Sequence, residues 1–225
     1  MNTINFSNVS VDIHDGPIGI MLSGGADSSI LFYILAKYAT GPIHVISCGN
    51  GNTNNHEPVN ALRVINKCIE LTGNRNVFFN AFWVDHKTPM SMISNNKVFA
   101  DAGVSMLYNA FTKPPKEGII TNFDNDGRIA VGGTDPGIVL PNYWTQEHSS
   151  FISKVFKFDV ELKRPFYTPF ININKQEIAK LYEELNVLLE LFPVTRSCES
   201  LTLTTGHCGT CWWCKERMWA FSKLE

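Results

Sequence analysis

The run Ile18-Gly19-Ile20-Met21-Leu22-Ser23-Gly24-Gly25-Ala26-Asp27-Ser28-Ser29 decides how this chain folds. Its first five residues read as a short apolar strand, and the apolar stretch Ile30 to Tyr38 behind it reads as a helix. Between them, Gly24 and Gly25 can take positive φ and carry no Cβ, so backbone N–H groups can wrap a phosphate. The helix that follows adds the positive end of its dipole. Ser23, Ser28 and Ser29 offer hydroxyls to phosphate oxygens, and Asp27 supplies the carboxylate that a magnesium ion needs. The run has no Lys after its glycines and no third glycine, so it is neither a Walker A loop nor a dinucleotide fingerprint.

Strand and helix signals alternate outward from this run. The helix over Ser28–Ala39 is stopped by Gly41-Pro42, and Ile43–Cys48 reads as a second strand. A Gly, Asn and Thr loop, Gly49–Asn55, leads to a helix over Glu57–Leu71, with Val59, Leu62, Ile65 and Ile69 at helical spacing and Gly73 at its end. Val77–Val84 is a third strand. Further on, the pattern predicts a helix over Val98–Phe111, strands over Ile119–Asn122 and Arg128–Val131, and a helix over Asn142–Ile152. An amphipathic helix follows over Asn174–Leu189, capped by Asn172 or Asn174. The alternation predicts an α/β fold, a Rossmann-like parallel sheet with helices on both faces. Its ligand belongs at the carboxyl ends of the strands near a switch point, where the Ser23–Ser29 and Gly49–Asn55 loops lie. No internal repeat or low-complexity tract interrupts the pattern.

The chain has 225 residues, 44% of them hydrophobic, enough for a substantial core. Its net charge of −2 comes from 19 basic and 21 acidic residues with no long basic run. That leaves no electrostatic footprint for nucleic acid and points to a small-molecule substrate. Met1–Asp15 has no signal-peptide character, and no apolar stretch approaches membrane-spanning length, so a cytoplasmic protein is expected. Six cysteines in such a chain point to metal binding or catalysis rather than disulfides.

Four of the six are Cys198, Cys208, Cys211 and Cys214, spaced C-x9-C-x2-C-x2-C. Four thiolates on tight turns suit tetrahedral zinc, and the last three also suit an iron–sulfur cluster, so spacing alone leaves both open. Gly206 and Gly209 let the chain turn back around an ion, and Lys215 and Arg217 can offset the −2 charge of a four-thiolate zinc site. A closed site of this kind is structural. The expected organisation is therefore a nucleotide-binding domain over residues 1–192 with a metal-binding segment, 193–225, packed on it.

The Ser23–Ser29 run resembles the PP-loop of the ATP pyrophosphatase superfamily, whose members split ATP into AMP and pyrophosphate. Joined to the cysteine cluster, it resembles the QueC-type 7-cyano-7-deazaguanine synthases. Also similar are Pro169-Phe170-Ile171-Asn172-Ile173-Asn174-Lys175-Gln176-Glu177-Ile178, Thr195-Arg196-Ser197-Cys198, and Cys208-Gly209-x-Cys211-x-x-Cys214-x-x-Arg217. The resemblance implies ATP and magnesium at Ser23, Gly24, Gly25, Ala26, Asp27, Ser28 and Ser29, with Cys48 and Gly49 beside the nucleotide. It implies catalytic roles for Ser23, Asp27, Ser28 and Lys175, and zinc on the four cysteines. It places positive charge from Lys175 and Arg217 near the phosphates or the metal, with a surface salt bridge as the alternative for each. The reaction implied is ATP-dependent conversion of 7-carboxy-7-deazaguanine and ammonia to the nitrile through an adenylated carboxylate and an amide, in an enzyme that can form a homodimer.

Two departures bear on the substrate. Glu199 follows Cys198 where the family carries an aromatic residue, and Gly132-Gly133-Thr134-Asp135-Pro136-Gly137 stands where the family carries its base pocket. Gly133 and Asp135 are the substrate-binding candidates, because a carboxylate accepts two parallel N–H bonds from a guanine-like edge. The alternatives are another PP-loop adenylating enzyme, either a tRNA thiolase using Cys48 or an amidating ligase, and a catalytically inactive nucleotide-binding relative.

Overall fold

The computed structural model describes residues 1–50, 56–84, 97–112, 143–144, 166–198, 200 and 205–225. The strands are β1 (Asn2–Asn5), β2 (Ser10–Ile13), β3 (Ile18–Met21), β4 (Ile43–Asn50), β5 (Val77–Val84), β6 (Met106–Tyr108), β7 (Tyr143–Trp144) and β8 (Phe166–Tyr167). The helices are α1 (Ala26–Tyr38), α2 (Glu57–Thr72), α3 (Lys97–Asp101), α4 (Lys175–Glu184) and α5 (Trp212–Phe221), with a 3-10 turn at Phe192–Val194. Among the described residues, six strands form one sheet in the order β5-β4-β3-β6-β8-β7, parallel except for β7. The α/β architecture read from the sequence is thus present. The chain leaves β3 towards β4 on one side and reaches β6 on the other, so the loop after β3 sits at a switch point.

Alternation along β3 explains how both faces are filled. Ile18 and Ile20 enter the main core with Ile30, Ile34, Val45, Val64, Tyr108 and Tyr182. Gly19 faces the other way, where Phe99, Val104 and Leu107 come within 3.0–3.1 Å of the point a Cβ would occupy. A Cβ there would require these side chains to give by a few tenths of an ångström. Helix α1 is apolar on nearly every side and accordingly buried from Ala26 to Ala36 apart from Asp27.

Several expectations are corrected. Val98–Phe111 is not one helix: α3 ends at Asp101, Gly103 turns the chain at φ +67, and Met106–Tyr108 joins the sheet beside β3. All three of those strand residues are buried, which rewards sheet pairing over helical propensity. The helix expected to run to Leu189 stops after Glu184, because Asn186 adopts left-handed φ +56 and the amide of Val187 bonds back to Tyr182 O at 2.9 Å. In α2 the buried stripe is Ala61, Val64, Ile65 and Cys68, while Val59 and Leu62 are exposed. Residues 1–15 form the hairpin β1–β2, which is clamped to the sheet by two tyrosines. The Tyr108 hydroxyl donates to Asp12 O at 2.7 Å, and the Tyr167 hydroxyl accepts from Asp12 N at 3.0 Å. The segments expected at Ile119–Asn122, Arg128–Val131 and Asn142–Ile152 lie outside the described residues, save for the two residues of β7.

Candidate active site

The loop between β3 and α1 is shaped by contacts with α2 and with the chain near Arg196. Gly24 has φ +81, and a Cβ on it would lie 2.6 Å from both C and Cβ of Asn60, so only glycine lets the loop rest on the first turns of α2. Its carbonyl accepts from the amide of Arg196 at 2.8 Å. Gly25 caps α1 in extended conformation, and the first helical bond is Ser29 N to Gly25 O at 3.0 Å. The amides of Ala26, Asp27 and Ser28 therefore precede the helical ladder and stand at its positive end.

The hydroxyls divide into two sets. Ser23 Oγ lies 3.0 Å from Ser28 Oγ and accepts from Gly25 N at 3.2 Å. Ser29 is fully buried and donates its hydroxyl to Gly25 O at 2.7 Å, which holds the helix start. Asp27 leads into the charged centre of the site. Its Oδ2 takes the Lys175 ammonium, and its Oδ1 is buried without a hydrogen-bond partner.

Lys175 comes from the first turn of α4, which Asn174 starts with a reciprocal capping box to Glu177. It is 4% exposed and also pairs with Glu216 of α5 at 3.3 Å. Burial alone would lower its pKa, but the facing carboxylates of Asp27 and Glu216 outweigh that and raise it, so the ammonium is retained. Burial pushes the Glu216 carboxyl up to about 7 against the opposing pull of Lys175. Asp27, Lys175, Ser23, Gly25, Glu57, Arg196, Ser197 and Trp213 line one cavity of about 150 Å³.

Other expected residues lie apart. Cys48 and Gly49 end β4 outside that lining, with Trp83 against Gly49. Burial and the nearby Glu57 charge push the Cys48 thiol up to about 12, the opposite of an activated nucleophile. Gly133, Asp135 and Glu199 lie outside the described residues. Sequence reasoning missed Glu216 because it sits within the unspecified positions of the Cys-x-x-Arg spacing. Its only signal was a carboxylate on a helix otherwise rich in aromatic residues.

The four cysteines converge. The sulfurs of Cys198, Cys208, Cys211 and Cys214 all lie within 4.8 Å of one another, close to the spacing of a tetrahedral zinc site. Backbone amides already point at them: Cys208 N to Cys198 Sγ at 3.3 Å and Cys211 N to Cys208 Sγ at 3.3 Å. Such N–H bonds favour thiolates. The donor set and its collapsed geometry therefore fit a metal.

Arg217, expected near the phosphates or the metal or else in a surface salt bridge, is buried rather than in a surface pair, lies outside the lining of the cavity, and interacts electrostatically with Cys214 of the cysteine cluster. It is 1% exposed, and its guanidinium donates to Leu224 O at 2.7 Å, Thr195 Oγ1 at 2.8 Å and Phe192 O at 3.0 Å. The same group lies 3.7 Å over the Phe192 ring. It pins α5 to the 3-10 turn that leads into Arg196 and Cys198.

Two family models match the chain. Residues 10–72 match the asparagine synthase family, which spans the loop after β3, and residues 147–225 match the family described as queuosine biosynthesis protein QueC, which spans Lys175 and the four cysteines. No curated protein matches the chain. Among the described residues, no helix is long and apolar enough to cross a membrane. The glycine-rich loop lies in one matched segment and the gathered thiols in the other, and the two matches together support a QueC-type PP-loop family for this chain.

Proposed function

We propose that this protein is an ATP-dependent ligase that converts a 7-carboxy-7-deazapurine, with ammonia, to the corresponding nitrile. The observation that carries the reading is the convergence of the Asp27 carboxylate, the Lys175 ammonium and the first-turn amides of α1 on one cavity. At about 150 Å³ it is smaller than the ~300 Å³ at which typical ligand pockets begin, which suits the phosphates better than a whole nucleotide. The QueC match supports the substrate class.

In this reading the substrate carboxylate oxygen attacks the α-phosphorus of ATP, and pyrophosphate leaves. Ammonia then attacks the acyl carbon of the adenylate; AMP departs, a proton is lost, and the amide forms. A second ATP activates the amide oxygen in the same way, and loss of AMP and protons leaves the nitrile. The α1 amides and Lys175 hold the charge that grows on pyrophosphate as it leaves. Ser23 and Ser28 orient the phosphate oxygens. The unpartnered Oδ1 of Asp27 fits a divalent cation, which when bound would neutralise phosphate charge. The cysteine centre, with four protein ligands, would be closed and structural, joining the segment from residue 193 onward to the nucleotide domain. A thiol-transfer reaction through Cys48 is disfavoured by its raised pKa.

The test is incubation with ATP, magnesium, ammonia and 7-carboxy-7-deazaguanine, with the base followed by mass spectrometry. A nitrile product, lost in Asp27→Ala, supports the reading. Cleavage of ATP with the base unchanged transfers the activity to another carboxylate, and absence of ATP cleavage overturns it.

A further inference from the structure

Lys175 occupies an unusual position for a cation. It sits in the first turn of α4, where the helix's positive end disfavours an ammonium, and it is almost wholly buried. Two carboxylates from distant parts of the chain offset that penalty. One, Asp27, lines the cavity, whereas Glu216 does not and, among the described residues, is joined to the site by its ion pair with Lys175. Glu216 is itself 2% exposed, and its backbone is fixed on either side: Cys214 belongs to the cysteine centre, and Arg217 anchors α5 by three hydrogen bonds.

We infer that Glu216 is a positioning residue for nucleotide binding: it holds the Lys175 ammonium in the cavity while Asp27 shares its carboxylate with incoming ligand charge. The inference rests on the ATP reading of the site. Asp27 has two demands on it, Lys175 at Oδ2 and an empty bonding capacity at Oδ1. A lysine tethered by Asp27 alone would move with that carboxylate. A second tether from α5 keeps the ammonium fixed and makes its charge available to phosphate oxygens. The geometry also explains why a carboxylate occurs on the buried face of α5, where an apolar residue would pack at lower desolvation penalty.

The experiment is a double-mutant cycle with Glu216→Gln, Lys175→Met and the pair. Glutamine keeps the volume and a carbonyl acceptor while removing the charge. Binding of the α,β-methylene analogue of ATP with magnesium is measured by calorimetry, and metal content and thermal midpoint are recorded for each variant. Glu216→Gln is expected to weaken analogue binding by about tenfold, in line with loss of a charge-assisted hydrogen bond, yet to change it by less than about twofold when Lys175 is already Met. Equal losses in both backgrounds, or none, would overturn the inference. A nucleotide-independent readout is kept beside it: acetic anhydride labelling of Lys175, read by peptide mass spectrometry, is expected to accelerate several-fold in Glu216→Gln. Unchanged labelling would overturn the tether even if the nucleotide reading held, whereas accelerated labelling in a protein that binds no analogue would retain the tether and sink the nucleotide reading.

Discussion

Replacing Arg217 by Lys separates a structural pin from a phosphate-binding cation. The guanidinium makes three bonds in different directions, to Leu224 O, Thr195 Oγ1 and Phe192 O, and lies flat on the Phe192 ring. Burial lowers its pKa to about 10, still well above neutrality, so the group is charged under all ordinary conditions. A lysine ammonium is a point donor on a stem without the planar fork, and it can keep one of those acceptors. Two acceptors then lose their partner at about 1–3 kcal/mol each, and with partial relaxation the net loss is about 3 kcal/mol. For a chain of this size that is a fall of about 6–12 °C in the unfolding midpoint. The assay is circular-dichroism melting of the protein in zinc-supplemented buffer, with the exposed neighbour Lys215→Ala as the control expected to stay within about 1 °C. A midpoint for Arg217→Lys within about 1–2 °C of the parent, together with weakened ATP binding, would refute the buried-pin account and restore the guanidinium to the phosphates.

Gly24→Ala meets both a left-handed φ and the backbone of α2. The φ alone costs roughly 1–2 kcal/mol, and the 2.6 Å approach to Asn60 forces α2 off the loop. Loss of ATP-analogue binding in a chain that still shows its helical circular-dichroism spectrum is the expected calorimetric result. Cys48→Ser is expected to leave pyrophosphate release within about twofold of the parent, because its thiol stays protonated up to a pKa of about 12; abolished turnover would reinstate a sulfur nucleophile. Stripping metal from the cysteine centre with a chelator is expected to lower the unfolding midpoint and weaken ATP-analogue binding together, since Cys198 follows Arg196 and Cys214 precedes Glu216 by two residues. A metal-free protein that binds the analogue as tightly as the parent would uncouple the two centres.

What the sequence revealed was mostly local. The Ser23–Ser29 loop is legible because strand, glycines and helix start are contiguous and each residue's part follows from backbone chemistry. The cysteines are legible because metal geometry restricts their spacing. The contacts that finish the site are between residues far apart: Gly24 with Arg196, Asp27 with Lys175, Lys175 with Glu216. No periodicity encodes them. Arg217 shows the limit well, since a motif position says that a guanidinium is needed there but not whether it serves phosphate, metal or a carbonyl. Tertiary context overrode pattern in α2, where Val59 and Leu62 keep helical spacing yet stay exposed, and at Met106–Tyr108, where an open place beside β3 took residues with helical character. The hairpin at residues 2–13 escaped notice because four alternating residues are too short a run to stand out from a polar segment.

The bond between Gly24 and Arg196 also has a meaning for the order in which the molecule is made. Synthesis proceeds from the amino end, so β3, the loop and α1 leave the ribosome long before the residues that complete them. Closing a contact across more than 170 positions carries a large loop entropy, which the chain can recover only once α4, the 3-10 turn and α5 have packed. A nascent chain therefore carries Asp27 without its Lys175 partner, and on the ATP reading of the site its loop is an unfinished phosphate cradle. On that reading, nucleotide capture is a late event in the protein's own biogenesis, timed by the arrival of Lys175, Arg196 and Glu216.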